Sequence, residues 1–90
     1  MASKYHVEFS KNADKEFSKL DAYTRRIILS WIYKNLEGCL NPREKGKPLR
    51  GDKSNQWRYR IGDYRIIAQI QDNKLIILVI KIGHRRDVYK

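Results

Sequence analysis

From Gln56 the period of the side chains becomes two, and the strand pattern that follows limits the fold more than any other feature of the chain. Trp57, Tyr59 and Ile61 alternate with Arg58 and Arg60, as the two faces of a β-strand require. Gly62-Asp63 suits a tight two-residue hairpin turn. The strand YRIIAQI (64–70) returns, Asp72-Asn73 offers a second turn, and LIILVIKI (75–82) follows. This last run is apolar on both faces, the pattern of a central strand. Setting the register from the first turn places Ile61 opposite Tyr64, Arg60 opposite Arg65 and Tyr59 opposite Ile66. Trp57, Tyr59, Ile61, Tyr64, Ile66, Ala68 and Ile70 then share one face, and Arg58, Arg60, Arg65 and Gln69 share the other. Counted regularly through the second turn, Ile76, Leu78, Ile80, Ile82 and then His84 join the arginine face.

The N-terminal half has a different period. YHVEF (5–9) alternates as a strand does. Ser10 can cap a first helix whose stripe is Ala13, Phe17 and Leu20, and Asp21 can cap a second. The second carries Tyr23, Ile27, Ile28, Trp31, Ile32 and Leu36 on its apolar side, and Gly38 is placed to end it. Residues 39–55 are loop by composition, with both prolines, two glycines, many charges and Leu49 as a buried anchor. The pattern predicts a single domain over residues 1–90 of the α+β class. It has an N-terminal strand, an αα-hairpin and a three-stranded antiparallel meander, giving a mostly antiparallel sheet with helices packed on one face.

Like charges directly across a hairpin are destabilising, by about 0.2–1 kcal/mol for a cross-strand pair, so the Arg60–Arg65 pairing needs a reason outside folding. A bound polyanion supplies one. Twenty Lys and Arg against ten Asp and Glu, a formal +10, point the same way. The single cysteine, Cys39, allows no disulfide within the chain and no cysteine metal pair, and fits a reducing cytosol. No apolar leader opens the sequence, and the run 75–80 is far too short to span a bilayer, so a cytoplasmic protein with no membrane partner is expected.

The stretch WRYRIGDYRIIAQI, the short turn and the apolar strand ending IGHRRDVY resemble the RelE/ParE superfamily of bacterial toxins. KPLRG (47–51) and the helical hairpin agree, so the resemblance spans the whole chain. It implies the toxin of a type II toxin–antitoxin system. In the RelE branch, which the combination of His84 and Arg65 favours, such a toxin is an endoribonuclease that cleaves mRNA in the ribosomal A site and is silenced by a cognate antitoxin. In the ParE branch it poisons DNA gyrase and cuts no RNA. Carried over position by position, the RelE pattern implies catalytic roles for Arg58, Arg60, Arg65, Arg85 and Tyr89, with His84 at a position where several mRNA-cleaving relatives have histidine. Better-known members carry lysine where this chain has Arg58 and Arg60, and arginine is a poor base. His84 is therefore the expected proton carrier, and Tyr89 a stacking group or acid. The expected chemistry is metal-free attack of the RNA 2′-OH on the adjacent phosphorus, with no cofactor. Lys45, Lys47 and Arg50 in the loop and Arg25 and Arg26 on the second helix are expected to grip ribosomal RNA or simply to stay solvated. Operator DNA is expected as a partner only through the antitoxin.

Overall fold

A computed structural model of the chain describes residues 3–49 and 55–88. Five strands form one sheet, β1 (His6–Phe9), β2 (Lys47–Pro48), β3 (Gln56–Ile61), β4 (Tyr64–Gln71) and β5 (Ile76–His84), in the spatial order β1-β5-β4-β3-β2. β1 runs parallel to β5, and every other neighbouring pair is antiparallel. α1 (Lys11–Ser18) and α2 (Ala22–Asn35) follow β1, and a short α3 (Arg85–Val88) follows β5. The architecture is the α+β arrangement expected, with two additions: the two-residue edge strand β2 lies inside the stretch read as loop, and α3 occupies what was read as a tail.

Both long helices start where the sequence offers a cap. Ser10 accepts a hydrogen bond from the Ala13 N–H at 3.0 Å, and Asp21 accepts one from the Thr24 N–H at 3.2 Å, each satisfying a backbone donor that has no partner in the first turn. Gly38 takes φ +78° just beyond α2 and donates its N–H to the Tyr5 carbonyl, so the helix end is tied to the first strand.

The core is built from Ala13 of α1, Ile28, Ile32 and Leu36 at and beyond α2, and the inward side chains Tyr59, Ile61, Ile66, Ala68, Ile70, Ile77, Val79 and Ile82. The α2 stripe is narrower than expected. Tyr23 and Ile27 are exposed, Trp31 packs partly buried at the edge of the core, and the core line is Ile28–Ile32–Leu36. Leu49 is half-buried rather than fully anchored.

Candidate nucleic-acid interface

The β3–β4 hairpin has the register expected of it. Ile61 pairs with Tyr64, Arg60 with Arg65, Tyr59 with Ile66, Arg58 with Ile67 and Gln56 with Gln69. β2 adds Lys47 opposite Arg58. Same-face neighbours across the sheet therefore form successive rows on the side away from the helices: Arg60 and Arg65, then Lys47, Arg58 and Ile67, then Gln56, Gln69 and Leu78. Among the described residues, Gly46, Lys47, Arg58, Arg60 and Arg65 line a cleft of about 310 Å³ on this side. Three guanidinium groups and one amine thus face one cavity.

Arg65 is held firmly in place. It is only 8% exposed, and its Nη1 donates to the carbonyls of Gly62 and Tyr64 at 3.1 and 3.0 Å. The intervening Asp63 carbonyl accepts the backbone N–H of Arg85 at 2.9 Å. Three consecutive turn carbonyls are therefore spent on the Arg65 side chain and the start of α3. The turn is held rigid, and the remaining guanidinium donors keep a fixed direction, which suits bidentate recognition of a phosphate.

Lys47 reaches the cleft because the 39–46 segment is pinned at several points. The Tyr59 hydroxyl donates to the Pro42 carbonyl, and the Trp57 indole N–H donates to the Lys45 carbonyl at 2.6 Å. Burial pushes the Tyr59 hydroxyl far above the ordinary tyrosine range. Arg43 forks onto Asp72 with bonds of 3.0 and 2.9 Å, and the Tyr5 hydroxyl donates to the same carboxylate at 2.6 Å. The Arg43 guanidinium, and after it the Tyr5 hydroxyl, hold the Asp72 carboxyl below its usual range. Gly46 passes over β3 with φ +78°, and a Cβ there would collide with the Arg58 carbonyl oxygen and lie 2.9 Å from both the Trp57 indole nitrogen and Tyr59 Cδ1. Only glycine permits that approach.

One expectation is overturned by the register of β5. Ile67 pairs with Lys81 but Ala68 pairs with Val79, so Ile80 is an extra residue in a β-bulge. A bulge inverts the inside–outside phase beyond it. Ile76 and Leu78 share the arginine side as counted, but Ile82, 2% exposed, belongs to the core. His84 pairs with Tyr64 and meets its ring edge-on, with centroids 5.6 Å apart. It lines a second cleft of about 360 Å³ with Glu16, Lys19, Leu20 and Tyr64, not the arginine cleft. Its Nδ1 accepts the Arg86 N–H at 3.3 Å.

The other expected residues are dispersed. Lys45 is exposed and contributes its carbonyl to Trp57. Arg25 is half-buried and donates to the Ser18 carbonyl, while Arg26 is exposed on α2. Arg85 is exposed at the start of α3. Arg50 and Tyr89 lie outside the described residues. Sequence reasoning gave Lys47 to a peripheral grip and overlooked Gly46. A lysine flanked by Gly46 and Pro48 was the available signal, since that trio marks a short edge strand in close approach to its neighbour. No three His, Cys, Asp or Glu side chains among the described residues come together as a metal would require, and none of the described helices is long and apolar enough to cross a membrane.

The model of the family described as ParE toxin of type II toxin–antitoxin system matches residues 7–89. The chain belongs to the RelE/ParE superfamily of type II toxins. It is 36% identical over 90 residues to a putative RelE-like toxin protein of Escherichia coli, covering 96% of this chain and 90% of that one. It is 30% identical over 82 residues to the mRNA interferase toxin RelE of Escherichia coli K12, covering 90% of this chain and 83% of that one. It also superimposes on the toxin–antitoxin complex RelBE2 of Mycobacterium tuberculosis with a TM-score of 0.81 at 25% identity, covering 97% of this chain and 98% of the matched chain. The sheet, the helical hairpin and the arginine cleft of this RelE/ParE toxin therefore sit in a fold shared along nearly its whole length.

Proposed function

We propose that this toxin is an endoribonuclease that cuts messenger RNA in the ribosomal A site, and that its arginine cleft grips the phosphodiester it cuts. The observation that carries the reading is the pairing of Arg60 with Arg65 beside Lys47 and Arg58 in a single cleft. A relative named mRNA interferase at 30% identity supports it. The RNA 2′-oxygen attacks the adjacent phosphorus, the bond to the 5′-oxygen breaks, and a 2′,3′-cyclic phosphate and a 5′-hydroxyl result. Arg60 and Arg65 stabilise the charge that builds on the phosphoryl oxygens, and Arg58 holds the neighbouring backbone. One proton must leave the 2′-OH and one must reach the 5′-oxygen. Lys47 carries the amine among the described residues of the cleft, and an amine exchanges a proton where guanidinium does not. Under this reading Arg85, exposed at the start of α3, contacts a phosphate, and Tyr89 serves as a stacking group or acid. His84 acts from the other side of β5, positioning α3 and Arg85 through its bond to the Arg86 N–H.

The partners under this reading are the ribosome with its A-site mRNA and a cognate antitoxin, as in the RelBE2 complex. Operator DNA is reached through the antitoxin, and the setting is the cytoplasm. The match to the ParE family model favours a second reading, inhibition of DNA gyrase. Purified toxin added to translating ribosomes should truncate mRNA at the A site and leave gyrase supercoiling intact. Intact mRNA with lost supercoiling would reverse the assignment.

A further inference from the structure

We propose that the same sheet face carries a nucleobase-reading pocket at the end away from the arginines, built on the amides of Gln69 and Gln71, and that it takes an unpaired base of the bound RNA, adenine by preference. The inference rests on the RNA-cleaving reading and adds a source of sequence preference to it. Along the arginine side of the sheet, side-chain character changes in order. Arg60 and Arg65 form one row, Lys47 and Arg58 the next, Gln56 and Gln69 the third, and Gln71 follows beside Ile76. Cations thus give way to neutral amides on one continuous surface. By strand rise, Gln69 lies about 13 Å from Arg65, within reach of a nucleotide neighbouring the one held by the guanidinium groups.

The amide end is concave. Asn55, Gln69, Gln71, Asp72, Asn73 and Lys74 line a cavity of about 320 Å³ there. Both glutamines are half-buried and oriented by each other, with Gln71 Nε2 donating to Gln69 Oε1 at 3.2 Å. That bond fixes the Gln69 amide and leaves it both amino hydrogens and the second lone pair of Oε1, a donor beside an acceptor on one amide. A donor next to an acceptor complements a base edge that shows an acceptor next to a donor. Glutamine amides match the N7 and N6–H of adenine in this way, and single-stranded RNA exposes such edges once its bases are unstacked. The phosphate end supplies affinity without sequence information and the amide end supplies the information, the usual division between backbone and base contacts.

The test uses fluorescence anisotropy of the full chain with octamers of 2′-O-methyl RNA, which cannot be cleaved. The three probes are oligo-A, oligo-U and oligo-7-deaza-A, the last of which stacks as adenine does but lacks N7. Wild type should bind oligo-A about 5- to 150-fold more tightly than oligo-7-deaza-A, the range one good bidentate base contact provides. Q69A/Q71A should bring oligo-A down to the oligo-7-deaza-A level, leaving the affinity for oligo-U and its salt dependence unchanged. R60A should weaken all three equally. Equal wild-type affinity for oligo-A and oligo-7-deaza-A would overturn the pocket, as would a preference that survives in Q69A/Q71A. If wild type also cuts A-site mRNA in either case, the proposed activity stands and only the pocket falls. Absence of both oligomer binding and cleavage would remove the two together.

Discussion

Tyr64 stands directly opposite His84 across β4 and β5, their rings 5.6 Å apart and inclined at 77°. This pairing places the imidazole on the opposite side of the strand from the guanidinium cleft, because Ile80 is bulged out of register between Lys81 and Val79. If the cleft performs the phosphoryl step, the two kinds of residue should have unequal effects. Arg65→Lys keeps the charge but loses the planar fork, and it and Arg60→Ala should each lower single-turnover cleavage on ribosomes by ~10²–10³-fold, the usual cost of removing one preorganised donor. His84→Ala should lose less than about tenfold, short of the ~10²–10⁴ that general acid–base catalysis supplies. A His84→Ala defect as deep as that of Arg65→Lys, in variants that melt like wild type, would place the imidazole at the reacting phosphate.

The β3–β4 hairpin was legible because Gly62-Asp63 fixes a two-residue turn and every later pairing follows from it. Arg60 opposite Arg65 could therefore be counted from the sequence alone. β5 was not legible to its end. LIILVIKI offers apolar side chains at every position up to Ile80, so a one-residue slip leaves no polar residue stranded to reveal it. The phase of Ile82 and His84 depends on the bulge, and the bulge on packing against β4, which no periodicity in the run reports. β2 was missed for another reason: its two residues, Lys47 and Pro48, are exposed and too few to show a period. The α2 stripe was overdrawn at Tyr23 and Ile27, since hydrophobic spacing marks a helix face without saying how wide a strip of it the sheet can cover.

Gly46 and Gly38 share a φ of +78° but differ in surroundings. At Gly38 nothing lies within 4 Å of a new Cβ, so Gly38→Ala should cost only the left-handed backbone penalty of about 1–2 kcal/mol. At Gly46 the same substitution meets the same penalty and also drives into the Arg58 carbonyl and the Trp57 indole. Gly46→Ala should therefore be the more destabilising, and at about 4–8 °C per kcal/mol for a domain of this size the gap is readable in a melting curve. It should also weaken RNA binding in the folded protein, because β2 and Lys47 must move off β3. Equal melting points for the two variants would refute the close approach.

Tyr59 is fully buried, and its hydroxyl reaches the buried Pro42 carbonyl. Tyr59→Phe removes the donor and leaves that acceptor dry, at a cost of about 1–3 kcal/mol. Tyr33 is 68% exposed, and Tyr33→Phe should stay within about 0.5 kcal/mol of wild type. Urea unfolding of both variants measures the difference. Equal midpoints would mean that the 39–46 segment is not held through Tyr59.

Asp72 and Tyr5 shape the pH dependence of stability from opposite ends. The Asp72 carboxyl is held below its usual range, first by the Arg43 guanidinium and then by the Tyr5 hydroxyl. Its contribution is present above the unfolded carboxyl pKa of about 3.9 and is lost as pH falls through the lower folded value. The Tyr5 hydroxyl is raised, first by its hydrogen bond to Asp72 and then by burial. Its contribution is present below the unfolded tyrosine pKa of about 10 and is lost as pH rises through the higher folded value. Tyr59 has the same sign, from burial. The Asp72 side chain is 49% exposed, so the Arg43 pair is worth about 0.2–1 kcal/mol and weakens with salt. Asp72→Asn should melt below wild type at pH 7, and the gap should narrow as pH falls below the unfolded carboxyl range. Tyr5→Phe should be destabilised at pH 7, with the gap to wild type narrowing above pH 10 as the phenol ionises. A difference between Asp72→Asn and wild type that stays constant from pH 7 to pH 2.5 would show that the carboxylate charge contributes nothing to the contact joining Arg43, Asp72 and Tyr5.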